Sequence, residues 1–160
     1  MIWGDHLKQL ISFLCALKGI IYTLLNESHF RFEIITAIYV IFFSIKFYSL
    51  SNTSWAILII VIFLVLISET FNTAIEKVCD MITTKKNNNI KIIKDVSAGA
   101  VLLSAILSVI TAFFILFDIE TFEKIITYYS AHIFNFILLI CTIVIAVLLL
   151  LIKPKKGKNK

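Results

Sequence analysis

Three acidic residues recur at helical spacing along one otherwise apolar segment of this sequence. They are Glu69, Glu76 and Asp80. In an α-helix they share one face with Asn72 and Thr73, within an arc of about 100°. Because a helix rises about 1.5 Å per residue, Glu69 lies about 16 Å from Asp80 along the axis. A long uncharged run precedes them, so a helix through this segment carries its acids into a membrane.

Carboxylates inside a bilayer are costly, and they persist where they are paired, hydrated or functional. Further charged or polar residues lie on the same side of the membrane: Asn26, Glu27, Arg31, Glu33, Lys94 and Asp95. These residue types suit phosphoryl transfer, since carboxylates hold Mg²⁺ against nucleotide phosphates, a lysine offsets phosphate charge and one carboxylate accepts a hydroxyl proton. The depth of Glu69 suits a lipid hydroxyl at headgroup level. Neither a GxxxxGK[ST] motif nor the protein-kinase loop set is present, so an ATP site here must be built differently.

Each of these clusters also has a purely structural interpretation. Asn72 and Thr73 are residue types that hydrogen-bond between membrane helices, with lysines neutralising the acids. Asp95 would interact favourably with the N-terminus of its own helix. Glu27 and Arg31 stand at the spacing of an ordinary i, i+4 pair. From the residues alone, these alternatives stay open.

The composition predicts an all-α integral membrane protein. Hydrophobic residues make up 60% of the 160 residues and charged residues 16%, against roughly 45–50% and 25% in globular proteins. Long helices follow, because backbone polar groups in lipid must be satisfied within each spanning segment. The three cysteines lie far apart and without CxxC spacing, so they predict neither a metal site nor a disulfide framework.

The hydropathy pattern predicts an amphipathic surface helix followed by four spans. The surface helix and then the spans cover about residues 5–26, 34–50, 53–82, 96–117 and 131–152. A hairpin loop separates the third span from the fourth, and a basic tail follows the fourth. We therefore divide the chain into a first unit at residues 1–117 and an added unit at 118–160.

The distribution of positive charge predicts the orientation of the spans. With the N-terminus in the cytoplasm, all 15 basic residues except Lys46 and Lys124 lie on the cytoplasmic side. The positive-inside rule selects that orientation and places both termini in the cytoplasm. The formal net charge of +5 is then a topology signal, and we predict no nucleic-acid partner.

Three segments resemble the prokaryotic diacylglycerol kinase family, which includes undecaprenol kinases. The segment Glu69–Asp80, ETFNTAIEKVCD, is similar to the signature of that family. Lys94–Leu102, KDVSAGAVL, resembles its second block. Lys18 with Gly19, and Asn26–Glu33 (NESHFRFE), resemble its N-terminal block. The segments occur in the family's order and cover about residues 5–117.

The resemblance implies an ATP- and Mg²⁺-dependent lipid kinase domain in residues 1–117. Such an enzyme transfers the γ-phosphoryl group to the hydroxyl of a membrane lipid alcohol, either undecaprenol or diacylglycerol, at the cytoplasmic face of the bacterial inner membrane. The amino-acid sequences of the motifs resemble the undecaprenol kinase branch slightly more than the diacylglycerol kinase branch. The resemblance also implies a homotrimer of three-span subunits whose neighbours share active sites.

Site residues are implied by the same motifs. Glu69 would be the catalytic base, and Glu27 and Glu76 would ligate Mg²⁺. The remaining residues would contact the nucleotide or support the site: Lys94 and Asp95 at the nucleotide, Asn72 and Asp80 in support, and Lys8 where the family often has a basic residue near ATP.

Two features depart from the family pattern. The cytoplasmic loop reads Thr84–Asn89, TKKNNN, where the family often has a Glu-Tyr-His-like segment that touches the nucleotide. The fourth span lies outside the usual three. Two other functions therefore stay open: an ion or proton transporter that uses Glu69, Glu76 and Asp80 as a relay, and a non-catalytic, degenerate kinase subunit.

Overall fold

The computed structural model describes residues 2–83, 85 and 87–152, with side chains described from Lys8 onward. Its described part is entirely helical, without a β-strand. The helices are α1 (Ile2–Asn26), α2 (Ser28–Phe47), α3 (Asn52–Ile82), α4 (Asn88–Leu116), α5 (Ile119–Ala131) and α6 (Ile133–Leu151). Thr84, Lys86 and the predicted basic tail lie outside the described residues.

Polar side chains immediately before three helices fix where those helices begin. The side chains of Ser51, Asn87 and Asp118 accept hydrogen bonds from backbone N–H groups in the first turns of α3, α4 and α5. Each therefore satisfies a donor that has no partner within the helix. In Asp118, the hydrogen bonds from the Thr121 hydroxyl and backbone hold the pKa of the carboxyl below its ordinary value.

Four helices are long and apolar enough to cross a membrane by their length and composition. They contain residues 8–26, 52–82, 88–116 and 133–151. The predicted all-α integral membrane class is therefore confirmed. These four helices are not the same set as the four predicted spans. The set includes α1, which we predict to be a surface helix. The helix α2 is not among them, and it carries Arg31, Glu33 and Lys46 within its 20 residues. The surface position of α1 stays a prediction.

The helices extend beyond several of the predicted segments. Residues 118–130, which we predict as a hairpin loop, contain most of the helix α5 (Ile119–Ala131). The helix α4 begins at Asn88, before the predicted third span, because the side chain of Asn87 caps it ahead of the apolar run. Similarly, α2 begins at Ser28, before the predicted first span, and the bounds of both spans stay predictions. Polar first turns extend these helices beyond the hydrophobic segments that hydropathy detects.

The helices α3 and α4 form the most extensive pair in the fold. Small or branched side chains are buried on α3, where Leu58, Val61 and Val65 follow one stripe, and two serines are buried on α4. Small residues let membrane helices approach closely and pack well. Most other large apolar side chains are exposed, as expected of helices whose outer surface faces lipid.

One arginine joins the ends of three helices. Arg31 on α2 donates to the carbonyl oxygens of Leu24 (3.3 Å) and Leu25 (3.1 Å) near the end of α1. Its other terminal nitrogen donates to the carbonyl of Ile152 at the end of α6, at 2.9 Å. These carbonyls have no partner within their own helices, so the guanidinium supplies it.

We predict that Arg31→Gln destabilises the fold. Hydrogen bonds from a charged donor contribute roughly 1.5–3 kcal/mol each, and the shorter glutamine cannot reach three carbonyls on two helices. The apparent Tm of the purified protein in detergent should fall by several degrees, and Lys18→Gln on the exposed side of α1 provides the control. Equal Tm values for Arg31→Gln and the wild type would contradict this role.

Candidate active site

The deepest predicted site residue, Glu69, is buried between helices. Its side chain is only 4% exposed although it lies on a candidate membrane span. It interacts electrostatically with His29, Glu27 and Glu76. The fold thus brings the junction of α1 and α2 near the middle of α3. Glu27 and Glu76, which are 49 positions apart in sequence, both lie within electrostatic range of Glu69, and we call these acids the cluster around Glu69.

The cluster includes two residues to which the sequence motifs assign no role. Glu33, on the second turn of α2, is also close enough to Glu69 to interact electrostatically. Its Oε2 atom is buried and has no hydrogen-bond partner. His29 is an exposed neighbour of the same cluster. Both belong to the segment Asn26–Glu33, which resembles the family's N-terminal block. That resemblance is the sequence signal from which a role for Glu33 and His29 could have been predicted.

These carboxylates fit the binding of a hard divalent cation that is shared with phosphate. Within the described residues, no three His, Cys, Asp or Glu side chains converge closely enough to hold a metal by themselves. Mg²⁺ usually keeps several waters and is bound by one or two carboxylates plus substrate phosphates. A buried carboxylate oxygen without a partner at Glu33 is the kind of acceptor that a cation or its water would satisfy. The donor set therefore fits Mg²⁺ that arrives with a nucleotide.

The acidic face of α3, formed by Glu69, Asn72, Thr73, Glu76 and Asp80, contacts α4. The Lys94 ammonium forms an ion pair with Asp80, with 2.6 Å between Nζ and Oδ1, and also interacts electrostatically with Glu76. One helical turn deeper, the Ser97 hydroxyl donates to Oδ1 of Asn72. Both contacts join α3 to α4, so they fix the rotation of the acidic face relative to α4.

The Lys94–Asp80 ion pair lies at the surface, where the two side chains are 35% and 57% exposed. Exposed ion pairs contribute little stability, with typical values of about 0–1 kcal/mol. Lys94 would therefore lose little free energy if it left Asp80 and bound a phosphate oxygen instead. The predicted contact with a nucleotide is compatible with this geometry.

The structure decides between several of the alternatives that the sequence leaves open. Asn72 makes the interhelical hydrogen bond that the structural interpretation expects. Arg31 uses its guanidinium on carbonyl groups rather than in an i, i+4 pair with Glu27. Asp95 lies beyond the first turn of α4, which begins at Asn88. Because the helix dipole acts mainly within the first turn, it does not account for Asp95.

Two residues that we predict to contact the nucleotide have exposed side chains. Asp95 is exposed, and within the described residues it makes no hydrogen bond or ion pair. Lys8 is exposed near the start of α1. In the loop that departs from the family pattern, Lys85 is exposed and its backbone N–H donates to the Thr83 hydroxyl at 3.1 Å. The roles of Lys8 and Asp95 stay predictions.

Comparison with known proteins identifies the family. The model of the prokaryotic diacylglycerol kinase family matches residues 14–116. The chain belongs to this family. The match runs from α1 to the end of α4 and so includes every acid of the cluster around Glu69, whereas α5 and α6 lie beyond it. The resemblance inferred from the sequence motifs is confirmed.

Two curated relatives illustrate the range of the family. A diacylglycerol kinase of Synechocystis sp. is 36% identical over 109 residues, which cover 68% of this chain and 62% of the relative. An undecaprenol kinase of Bacillus subtilis is 36% identical over 110 residues, covering 66% of this chain and 89% of the relative. This member of the family thus spans less than two thirds of the first relative and most of the second.

Proposed function

We propose that this protein is a lipid kinase that transfers the γ-phosphoryl group of ATP to the hydroxyl of a membrane lipid alcohol, undecaprenol or diacylglycerol. The observation that carries the proposal is that the buried Glu69 lies within electrostatic range of both Glu27 and Glu76. Membership in the prokaryotic diacylglycerol kinase family supports it, as do relatives that are named for phosphorylating each of these lipids.

In this proposal Glu69 accepts the proton of the lipid hydroxyl. The hydroxyl oxygen forms a bond to the γ-phosphorus, the bond from that phosphorus to the oxygen bridging to the β-phosphate breaks, and ADP leaves. Phosphoryl transfer depends mainly on positioning and on stabilising the phosphate charge. Burial of Glu69 among helices excludes water, which would otherwise compete with the lipid as acceptor.

The neighbouring residues bind and orient the nucleotide. Glu27 and Glu76 would hold Mg²⁺, which would offset the negative charge of the ATP phosphates. Lys94 and Asp95 would contact the nucleotide. Asn72 accepts the hydrogen bond from Ser97, and Asp80 pairs with Lys94. These two contacts would fix the rotation of α3 relative to α4.

The remaining details of the proposal concern the assembly. We propose a homotrimer whose neighbouring subunits share active sites, in the bacterial cytoplasmic membrane, with both termini in the cytoplasm. A shared site would account for Asp95, which is exposed in the single chain although it lies next to the paired Lys94. The clustering of basic residues around the acidic face supports the orientation.

A carboxylate relay for protons or ions fits the structure less well. The residues of α3 before Glu69 contain no ionisable side chain, and α4 contains none after Asp95. A relay would therefore end at Glu69, part of the way along α3. Phosphorylation of a lipid at the membrane surface needs no path beyond that depth.

The decisive experiment is a phosphorylation assay with two lipids offered side by side. Purified full-length protein in vesicles is supplied with radiolabelled ATP, Mg²⁺ and equal amounts of diacylglycerol and undecaprenol. We expect label in at least one lipid, and none when Mg²⁺ is chelated or both alcohols are omitted. Absence of a labelled lipid at all Mg²⁺ concentrations would contradict the proposal and favour the degenerate-subunit alternative.

A further inference from the structure

The helix α6, which lies beyond the family match, is joined to the rest of the chain by polar contacts near its two ends. Near one end Ile152 accepts the hydrogen bond from Arg31. Near the other, the Asn135 amide donates to the Tyr128 hydroxyl at 2.6 Å, and the Tyr128 ring packs edge-on against Phe47. No side chain of α6 is buried, so its surface beside α2 is partly open.

A groove of about 380 Å³ separates α2 from α6 between these contacts. Its wall is apolar, with Ile35, Ile38, Phe42, Leu138, Ala146 and Leu149 among its lining residues. Along α2 it extends about 16 Å, from the height of Ile35 to that of Lys46, at about 1.5 Å per residue. Its volume falls within the roughly 300–1,000 Å³ typical of ligand clefts, and its long, apolar shape suits a hydrocarbon chain.

The only charged side chain that lines this groove within the described residues is Lys46. Its ammonium lies 4.0 Å from the centre of the Tyr128 ring and 5.4 Å from those of Phe42, Phe47 and Tyr129. Within the described residues, Lys46 forms no ion pair with a carboxylate. Ring faces hold a cation in place without neutralising it, so the charge of Lys46 remains available to an anion.

Polar side chains also lie near Lys46 in the groove. The Tyr129 ring, whose centre is 5.4 Å from the Lys46 ammonium, and Asn135, which donates to the Tyr128 hydroxyl, contribute to the lining. Lys46 follows Glu33 by about 20 Å along α2, so this end of the groove lies away from the acidic cluster. A phosphate there would meet a cation and polar side chains while its hydrocarbon chain follows the apolar wall.

We propose that the groove between α2 and α6 binds one phospholipid, with an acyl chain along the apolar wall and the phosphate at Lys46. The charge of Lys46 selects a phosphate-bearing lipid over an uncharged one, and the apolar wall selects a chain. The bound lipid fills the space between α2 and α6. It therefore stabilises the packing of α6 against the helices that match the family. This site is separate from the proposed kinase site, and neither proposal depends on the other.

The test measures the lipid that the intact protein retains. Full-length protein is delipidated in neutral detergent and titrated with dioleoylphosphatidylglycerol, and bound lipid is counted by native mass spectrometry. We expect one tightly held molecule per chain. Ala146→Phe places a ring in the groove and should weaken retention about tenfold or more, which corresponds to about 1.4 kcal/mol. Val144→Phe, on the same helix but outside the groove lining, should retain the lipid normally.

Lys46→Gln tests the headgroup part of the proposal, and it needs no repacking of the groove wall. It should weaken retention of phosphatidylglycerol about tenfold and leave unchanged that of 1,2-dioleoyl-3-acetylglycerol, an uncharged lipid without a hydroxyl for the proposed kinase site. Lys124→Gln, which lies outside the groove lining, is the matched control.

Three results would overturn the proposal. One is equal retention of phosphatidylglycerol by Ala146→Phe and the wild type. A second is wild-type retention of 1,2-dioleoyl-3-acetylglycerol as tight as that of phosphatidylglycerol. The third is Ala146→Phe dissociating an oligomer without changing the lipid count, because a second copy of the chain would then occupy the groove.

Discussion

Glu69→Gln should abolish lipid phosphorylation while the helices stay packed. Glutamine has nearly the same shape as glutamate but cannot accept the hydroxyl proton, and a general base typically contributes about 10²–10⁴-fold to a rate. We therefore expect turnover to fall at least a hundredfold in the vesicle assay. Glu27, Glu33 and Glu76 lie within electrostatic range of this side chain, as does His29. Removing the charge of Glu69 relieves the repulsion by the three acids but loses the attraction of His29, so the Tm should change little.

The control for this substitution is Glu123→Gln, which removes an exposed carboxylate on α5 far from the family motifs. Binding of a fluorescent ATP analogue should be similar in both variants and the wild type, so that lost turnover reports the chemical step. Wild-type turnover in Glu69→Gln would remove the general-base assignment. Loss of both nucleotide binding and turnover would instead give Glu69 a binding role.

The sequence predicts those parts of the fold that depend on one helix at a time. The span within α3 and the final helix α6 follow from long apolar runs, and they begin and end within a few residues of the predicted positions. The helix α5 was missed because charged and polar residues interrupt its apolar ones, so that it contains no apolar run long enough to span a membrane. The signal was present, since Asp118 stands three residues before Thr121 and caps that helix.

The candidate site was predicted as a set of residue types, whereas its assembly depends on packing. The spacing of Glu69 and Glu76 places them on one face of α3, and the structure adds the α1–α2 junction with Glu27, Glu33 and His29. That junction meets α3 because α1, α2 and α3 pack together, which no local pattern encodes. The ion pair between Lys94 and Asp80 likewise depends on the α3–α4 pair.

Contacts between chain segments that are far apart were the least predictable. The hydrogen bond from Arg31 to Ile152 joins residues 121 positions apart. Nothing in either local sequence indicates it, because the acceptor is a backbone carbonyl that every residue carries. The same holds for Lys46, whose aromatic neighbours come from both α2 and α5. The position of α6 beside α2 is therefore a finding of the structure alone.

Glu76→Gln should weaken the dependence of activity on Mg²⁺ rather than abolish the chemistry. In the proposal this residue supplies a carboxylate to the cation, and on the helix it lies two turns from Glu69 toward the paired Lys94. We expect the Mg²⁺ concentration that gives half-maximal activity to rise about tenfold or more, a loss of about 1.4 kcal/mol in binding. At saturating Mg²⁺ the rate should recover substantially, which separates this variant from Glu69→Gln.

A binding measurement makes the metal assignment independent of turnover. Mn²⁺ can replace Mg²⁺ as a paramagnetic probe, and its binding in the presence of a non-hydrolysable ATP analogue should weaken in Glu76→Gln by the same factor as activity. Glu120→Gln on α5 should bind Mn²⁺ as the wild type does. Unchanged Mg²⁺ and Mn²⁺ titrations in Glu76→Gln would assign the cation to other carboxylates of the cluster. The unpartnered Glu33 would then be the first candidate, since its buried Oε2 lacks a hydrogen bond.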